Sequence, residues 1–302
     1  MQAHRQKQTR EDVIFDAVAA FIMIGGCVVV LYPIYFIVIA SFSDPKYVLG
    51  GEVFFWPRGL NLAGYSRIFR YTPLWRGYAN SAYYSVVGAV LSSFFTLLAA
   101  YPLSRNDFSG RKPFTIMLLI AMFFSGGLIP QYVLVNSLHL RNTWAVLLLV
   151  SGIQITNIFI ASSYFKTTNI DSLFEASQID GCTHFGYFFR ILLPISVPII
   201  IVMLLFYGVW QWNDFFRALI YLDKPRYYPI QLVLKDLLAT SQVTGALVEM
   251  LAEDQEAYAE MLKAADSMKY GIILFASLPM LILYLFLQKY FVKGITLGSV
   301  KG

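Results

Sequence analysis

Residues 175–194 read EASQIDGCTHFGYFFRILLP. The segment is partly polar and carries small residues and glycine, yet it lies between two long apolar runs. Those runs belong to a chain of 302 residues that is 58% hydrophobic and only 14% charged, with mean hydropathy +0.60. Soluble domains carry about 25% charged residues, so the composition points to an integral membrane protein. Six runs confirm the pattern: Ala17–Ser43, Tyr78–Ser104, Pro113–Asn136, Thr143–Phe165, Ile191–Asn213 and Tyr270–Gln288. None contains Asp, Glu, Lys or Arg. About 20 apolar residues span the hydrocarbon core as a helix. Lipid offers the backbone no partners, so only helices or closed barrels cross it, and these runs are too long for barrel strands. The expected fold is all-α with six transmembrane helices.

The first run is expected to stay on the chain. Its apolar core exceeds the roughly 7–15 residues of a signal peptide, and no A-x-A-like site follows. Cys27 falls in the first helix and Cys182 in a loop expected to be cytoplasmic, so no disulfide is expected. His4, His139 and His184 are far apart and show no metal-ligand spacing. The net charge of +5 is spread over the loops and does not point to nucleic acid.

Six helices put both termini on one side. Short loops weigh most in orientation. The loop 105–112 carries Arg105, Arg111 and Lys112, whereas 137–142 carries only Arg141. This balance puts both termini, 105–112 and 166–190 in the cytoplasm, with 44–77, 137–142 and 214–269 outside. Within 166–190, Ser172 to Glu175 has the S-x-x-E form of a capping box. Small residues follow at Ala176 and Ser177, and Gly181 can close the helix in the left-handed conformation. Thr183 or His184 opens a second short amphipathic turn ending at Arg190. Pro194 then falls in the first turn of the fifth membrane helix, where its missing N–H does least harm. The result is a short surface helix with a small-residue face. Composition alone leaves a plain connector open as well.

The spacing carries a resemblance. Glu175-Ala176, Gly181 six residues after the glutamate, and I-x-L-P beginning at Ile191, ten after the glycine, resemble the EAA loop of bacterial ABC importer permeases. EASQIDG resembles the EAAxIDG form of their carbohydrate-uptake (maltose-type) branch, with Ser177 in place of the second alanine. In that family the loop forms a coupling helix docked in a groove of a cytoplasmic ATPase. The resemblance implies that Glu175, Ala176, Ser177, Asp180 and Gly181 couple to such a subunit. The stretch GITLGSVKG (294–302) resembles the G-x-T-x-G-x-V-K-G tail of maltose-type permeases, which reaches toward the ATPase dimer interface. SFSDPKYVLGGEVFFWP (41–57), FFSGGLIPQY (123–132) and LIYLDKPRYYPIQLVL (219–234) resemble the LplC-like polysaccharide-permease branch.

The resemblance implies a type I ABC importer permease fold and an assembly in the bacterial cell membrane. Its partners would be two ATPase subunits, a second homologous permease chain, an extracytoplasmic solute-binding protein and lipid. The cargo would be an oligo- or polysaccharide. The chain has no G-x-x-x-x-G-K-[ST], so ATP and Mg are expected on the partner ATPase and no cofactor on this chain. It is expected to be no enzyme, because no cluster of His, Cys or carboxylates converges on one membrane face. Three parts are expected: 1–77 with the first helix and an outer cap loop, a permease core 78–291 containing the coupling loop 166–194, and a tail 292–302. The rival from another class is a stand-alone carrier or channel for a neutral polar solute. The uncharged helices argue against proton coupling, though not against sodium held by carbonyls.

Neutral amides and aromatics remain as pathway candidates. Gln154 and Asn157 lie three apart, on one face of the expected fourth helix. Tyr207, Trp210 and Asn213 lie in the fifth, with Gln211 and Trp212, and Gln131 and Tyr132 lie in the third beside Gly126, Gly127 and Pro130. Amides pair with sugar hydroxyls and aromatic faces pack on sugar rings. The same residues also suit interhelical glue and interfacial belts. Outside the membrane, the loop 44–77 reads as an ordered cap rich in Pro, Trp and Tyr. The acidic stretch 247–265 has helical periodicity and reads either as a solvated cover or as a contact for the solute-binding protein.

Overall fold

The computed structural model describes residues 9–150, 152–167, 170–239 and 268–285. Among the described residues the regular structure is helical, with no strand. The chain divides into two compact units, residues 1–70 with 238–277, and 71–237 with 278–302.

The first unit opens with α1, Arg10–Ser41. Thr9 caps it: its hydroxyl accepts from the Asp12 N–H, and the Thr9 N–H donates to the Asp12 carboxylate at 2.8 Å. The α1 surface is exposed at every position from Phe21 to Tyr35, and burial begins at Ile39. Asp44 caps the short α2, Pro45–Leu49, by accepting from the Lys46 N–H. The chain then folds back on itself. The Asp44 N–H donates to the Arg58 carbonyl, and the Asn61 N–H to that of Phe42. In α3, Ala63–Arg70, the Tyr65 ring stacks on Phe42 and its hydroxyl donates to Ser41 Oγ at 2.8 Å. In the helix Met268–Leu285, Tyr270 and Phe275 meet Phe36 and Phe69 edge-on.

The second unit is built on α4, Thr72–Ser104. Its buried stripe includes Ser81, Ser85, Gly88, Ala89, Ser92 and Thr96. Small residues let a neighbouring backbone approach where no hydrophobic force separates helix from lipid. Here α8, Ile155–Thr167, and α12, Val197–Trp212, pack along α4.

Three of the six expected membrane helices are each divided into shorter helices. The third divides into α5, Arg111–Phe123, and α6, Leu128–Ser137, bent by 108°. Gly127 sits at the bend with φ +84, a conformation that a Cβ penalises. The fourth divides into α7, Trp144–Leu149, and α8, with Val150 extended at the break. Between α8 and the fifth run lie α9, Ile170–Ile179, and α10, His184–Tyr187. A π-turn over Phe188–Leu192 and α11, Leu193–Ile195, continue α10. This combined helix meets α12 at an 84° bend. The fifth membrane helix therefore starts at Val197 and not at Ile191, and the second turn does not stop at Arg190. Pro198 lacks the N–H that would continue the helix across Ser196. After α12 comes α13, Phe216–Tyr221. Three described helices are each long and apolar enough to cross a membrane, or up to five if each bent pair counts as one span. The stretch 247–265 and the tail 292–302 lie outside the described residues.

Candidate functional site

The opening segment forms a mounted surface helix. It does not begin with the expected capping box: α9 already runs from Ile170, so Ser172 lies inside it. Asp171 in the first turn suits the positive end of the helix dipole. The C-terminal end follows expectation. Gly181 has φ +76, its N–H donates to the Gln178 carbonyl at 2.9 Å, and the Cys182 N–H donates to the Ser177 carbonyl at 3.0 Å. This is a Schellman closure. Thr183 then caps α10 by accepting from the Gly186 N–H at 3.2 Å.

One face of α9 is held fast. Phe174 is buried, stacks on His184 at 4.6 Å and meets Tyr187 edge-on at 5.1 Å. The Arg105 guanidinium, at the end of α4, lies 3.8 Å from the centre of the Phe174 ring. Arg105 is only 6% exposed. Its Nε and Nη2 donate to both oxygens of Asp107 at 2.7 and 2.6 Å, a planar fork that only arginine offers. Its Nη1 stands 3.9 Å from Asp171 Oδ1. Asn106 Nδ2 donates to Asp171 Oδ2 at 2.8 Å, and Arg111 donates to Asn106 Oδ1 at 2.8 Å. The Arg105 hydrogen bond holds the Asp107 carboxyl below the ordinary carboxylate range. The pair is therefore intact at neutral pH and is lost only as pH falls through that lowered value. Arg105 was read from the sequence only as an orientation charge; the R-x-D spacing was the one local signal of its pairing.

The opposite face of α9 is open. Glu175, Ala176, Asp180 and Gly181 are exposed, as are Leu173 and Ile179, the latter at 88%. Ser177 departs from its expected place among them. It is buried beside Phe174, and its hydroxyl donates to the Phe174 carbonyl at 2.7 Å. A serine next to an alanine reads as one small face, but their 100° separation on the helix puts them on different sides. A pocket of about 370 Å³ adjoins this corner, lined by Tyr101, Arg105, Asp107, His184, Phe185 and Phe188 among others.

The second constellation is the break in the fourth helix. A helix end inside the chain leaves carbonyls and N–H groups that need partners. Gln211 Nε2 donates to the Leu147 carbonyl at 3.1 Å, and Arg217 Nη1 donates to the Val150 carbonyl. Arg217 Nη2 donates to Gln211 Oε1 at 2.8 Å, and its Nε stands 2.7 Å from Asp214 Oδ2. The Arg217 guanidinium also covers Trp210, 4.0 Å from the ring centre. On the far side of the break, the Gln154 N–H donates to the Tyr207 hydroxyl at 3.1 Å, which lies 2.6 Å from Thr96 Oγ1.

These contacts relocate the five pathway candidates. Gln154 lies just before α8 and not within it as expected; its carbonyl accepts the first backbone bonds of that helix, from the Asn157 and Ile158 N–H groups at 3.1 and 3.3 Å. Asn157 is buried, and Tyr207 is wholly enclosed between α4 and the break. Trp210 is half-buried under Arg217, and Asn213 is exposed, its side chain donating to the Val209 carbonyl at the end of α12. Asp214 and Arg217 were missed, because they stand just past the last apolar residue and read as loop charges. Among the described residues no group of three or more His, Cys, Asp or Glu could hold a metal ion.

The chain is 33% identical over 301 residues to Protein LplC of Bacillus subtilis strain 168, covering 100% of this chain and 99% of the relative. It is 33% identical over 290 residues to the polygalacturonan/rhamnogalacturonan transport system permease protein YtcP of the same organism, covering 96% and 99%. It is 29% identical over 283 residues to the arabinooligosaccharides transport system permease protein AraQ of Halalkalibacterium halodurans, covering 91% and 92%. The crystal structure of a bacterial ABC transporter that imports the acidic polysaccharide alginate matches with TM-score 0.83 at 27% identity, over 95% of this chain and 99% of that one. No family model matches the chain. The chain belongs to the carbohydrate-uptake ABC importer permeases. It is a membrane-embedded transport subunit of the bacterial cell membrane and not an enzyme, which leaves the stand-alone carrier without support.

Proposed function

We propose that this chain carries an oligo- or polysaccharide across the membrane through a heteromeric importer, and that α9 is its ATPase-coupling helix. The observation that carries the reading is the two-sided character of α9. Its inner face is fixed by Arg105, Phe174 and Tyr187, while Glu175, Ala176, Asp180 and Gly181 stand open beside the bare apolar Leu173 and Ile179. In the proposed topology α7 and α8 together make a sixth span, and both termini lie in the cytoplasm. The partners are two ATPase subunits that bind ATP and Mg, a second homologous permease chain and a solute-binding protein. Closure of the ATPases would push α9 as a rigid joint, and Arg105 would pass the movement to α4. The two states of the permease must contact the ATPase differently, because only differential binding shifts an equilibrium.

The sugar reading is supported by the relatives' substrates, polygalacturonan, rhamnogalacturonan and arabino-oligosaccharides, and by alginate in the structural neighbour. Gln154, Trp210 and Asn213 are the proposed pathway residues that retain exposed surface, with Asn157 and Tyr207 shaping the wall behind them. Affinity purification of the tagged chain from native membranes in mild detergent, followed by mass spectrometry, tests the assembly. A nucleotide-binding subunit and a second permease chain are expected in the eluate. Recovery of this chain alone, in a detergent that preserves known complexes, contradicts the proposal.

Gly181→Val separates docking from folding. Nothing lies within 4 Å of a Cβ at this position, so the substitution meets only the positive φ. Left-handed backbone costs a non-glycine residue about 1–2 kcal/mol, enough to reshape the turn without unfolding the chain. The expected outcome is unchanged membrane abundance, persisting ATPase activity and uptake reduced about tenfold. Normal coupled uptake would count against docking at this turn.

A further inference from the structure

The cap after α1 carries an apolar tip. The tip Phe54-Phe55-Trp56 is strongly exposed, with Trp56 at 78%. It folds back along α1 instead of standing away from it. The Tyr32 hydroxyl donates to the Phe54 carbonyl at 3.4 Å, and the Tyr35 hydroxyl donates to that of Phe55. The rings of Tyr32 and Phe55 meet edge-on at 6.4 Å. At the base of the loop, the Arg58 N–H donates to Ser43 Oγ at 3.2 Å and the Asp44 N–H to the Arg58 carbonyl at 2.9 Å. The tip is thus pinned about 9–14 Å back from the end of α1, at 1.5 Å per residue.

Burial along α1 tells where that depth falls. The helix is bare from Phe21 to Tyr35, half-buried over Phe36–Val38 and buried at Ile39–Ser41. Asp16 is the last charge before the apolar run. About 20 residues cross the hydrocarbon core, and 20 counted from Ala17 end at Phe36. With the N-terminus in the cytoplasm, as the proposed function has it, both measures put Tyr32 and Tyr35 at the outer edge of the core. That is the level at which Trp and Tyr gather in membrane proteins, ring in the lipid and polar end toward water. The charged flank agrees: Glu52 and Arg58, paired at 2.9 Å and both exposed, stand on either side of the apolar tip. The two tyrosine hydroxyls satisfy tip carbonyls, which lipid could not do.

We infer that Phe54, Phe55 and Trp56 form an interfacial anchor that inserts into the outer leaflet beside α1. The anchor fixes the height of the first helix in the membrane and lays the cap flat on the bilayer. Its partner is the lipid headgroup–acyl boundary, continuous with the lipid-facing surface of α1.

The test uses the assembled importer in nanodiscs, with Cys27 and Cys182 replaced by serine and Trp56→Cys labelled with bimane. Lys46→Cys, on the exposed part of the same cap, is the aqueous reference. Lipids bearing a nitroxide near the headgroup are expected to quench bimane at position 56 at least threefold more than at 46, with aqueous iodide showing the reverse order. Phe55→Cys gives the same reading if the Trp56 variant does not assemble. Iodide quenching at 56 equal to that at 46, without lipid quenching, would put the tip in water and overturn the inference. Protection from both quenchers would assign the tip to a protein partner and overturn it equally.

Discussion

Arg217→Met is expected to lower the thermal stability of the assembled importer and to abolish most uptake. Arg217 and Asp214 have side chains only 11% and 9% exposed. Removing the arginine strands the Asp214 carboxylate, the Val150 carbonyl and Gln211 Oε1 together. Breaking a buried pair from one side typically costs about 3–5 kcal/mol, because a charge is left without compensation. The Asp214→Asn/Arg217→Met double variant should recover part of the loss, since it removes the stranded charge. Thermal unfolding of the purified complex and uptake into proteoliposomes measure both effects. An Arg217→Met chain as stable as the parent would show that the break in the fourth helix does not depend on this network.

Arg105→Ala is expected to leave the chain inserted and assembled but to reduce uptake about tenfold or more, with ATPase activity persisting. The ion-pair part of the loss is small, because the Asp107 and Asp171 side chains are 57% and 38% exposed and solvent screens such pairs. The larger part is the desolvated guanidinium on the Phe174 ring, worth up to about 2 kcal/mol. Without it α9 keeps its helix but loses its mount on α4. Arg105→Lys should fail to rescue, since an ammonium cannot fork onto Asp107 and lie flat on Phe174 together. Full coupling in Arg105→Ala would mean that the movement of α9 reaches the membrane helices by another route.

Much of this architecture was legible in the residues. Charge-free runs near 20 residues mark membrane helices wherever they occur, because lipid punishes any exception. The 175–194 segment announced itself by polarity where apolar sequence was due, and Gly181 by the backbone it must adopt. The breaks were harder to read. Gly126 and Gly127 stand at the third and Gly152 at the fourth, yet a glycine within an apolar run does not by itself fix a break; the freed carbonyls of Leu147 and Val150 find partners 64 and 67 residues further along, in Gln211 and Arg217. Such bonds leave no periodic trace. For the same reason the sequence shows Tyr207 only as an aromatic pathway candidate and not as the residue whose hydroxyl accepts from the Gln154 N–H at the helix junction. Ser177 misled through size: it resembles Ala176 in bulk but turns into the core. Arg105 was hidden because a loop cation and a helix-end clamp look alike until Phe174, far along the chain, is brought beneath it.

The claim on which the account rests is that the open face of α9 meets a nucleotide-binding subunit. The most direct measurement is cross-linking from Ala176→Cys, in a chain with Cys27 and Cys182 replaced by serine, within the assembled importer in nanodiscs. A short bismaleimide and mass spectrometry identify the partner. The expected product is an adduct joining position 176 to the ATPase subunit. An assembly that contains the ATPase yet yields adducts only to a permease chain, or none at all, would contradict it.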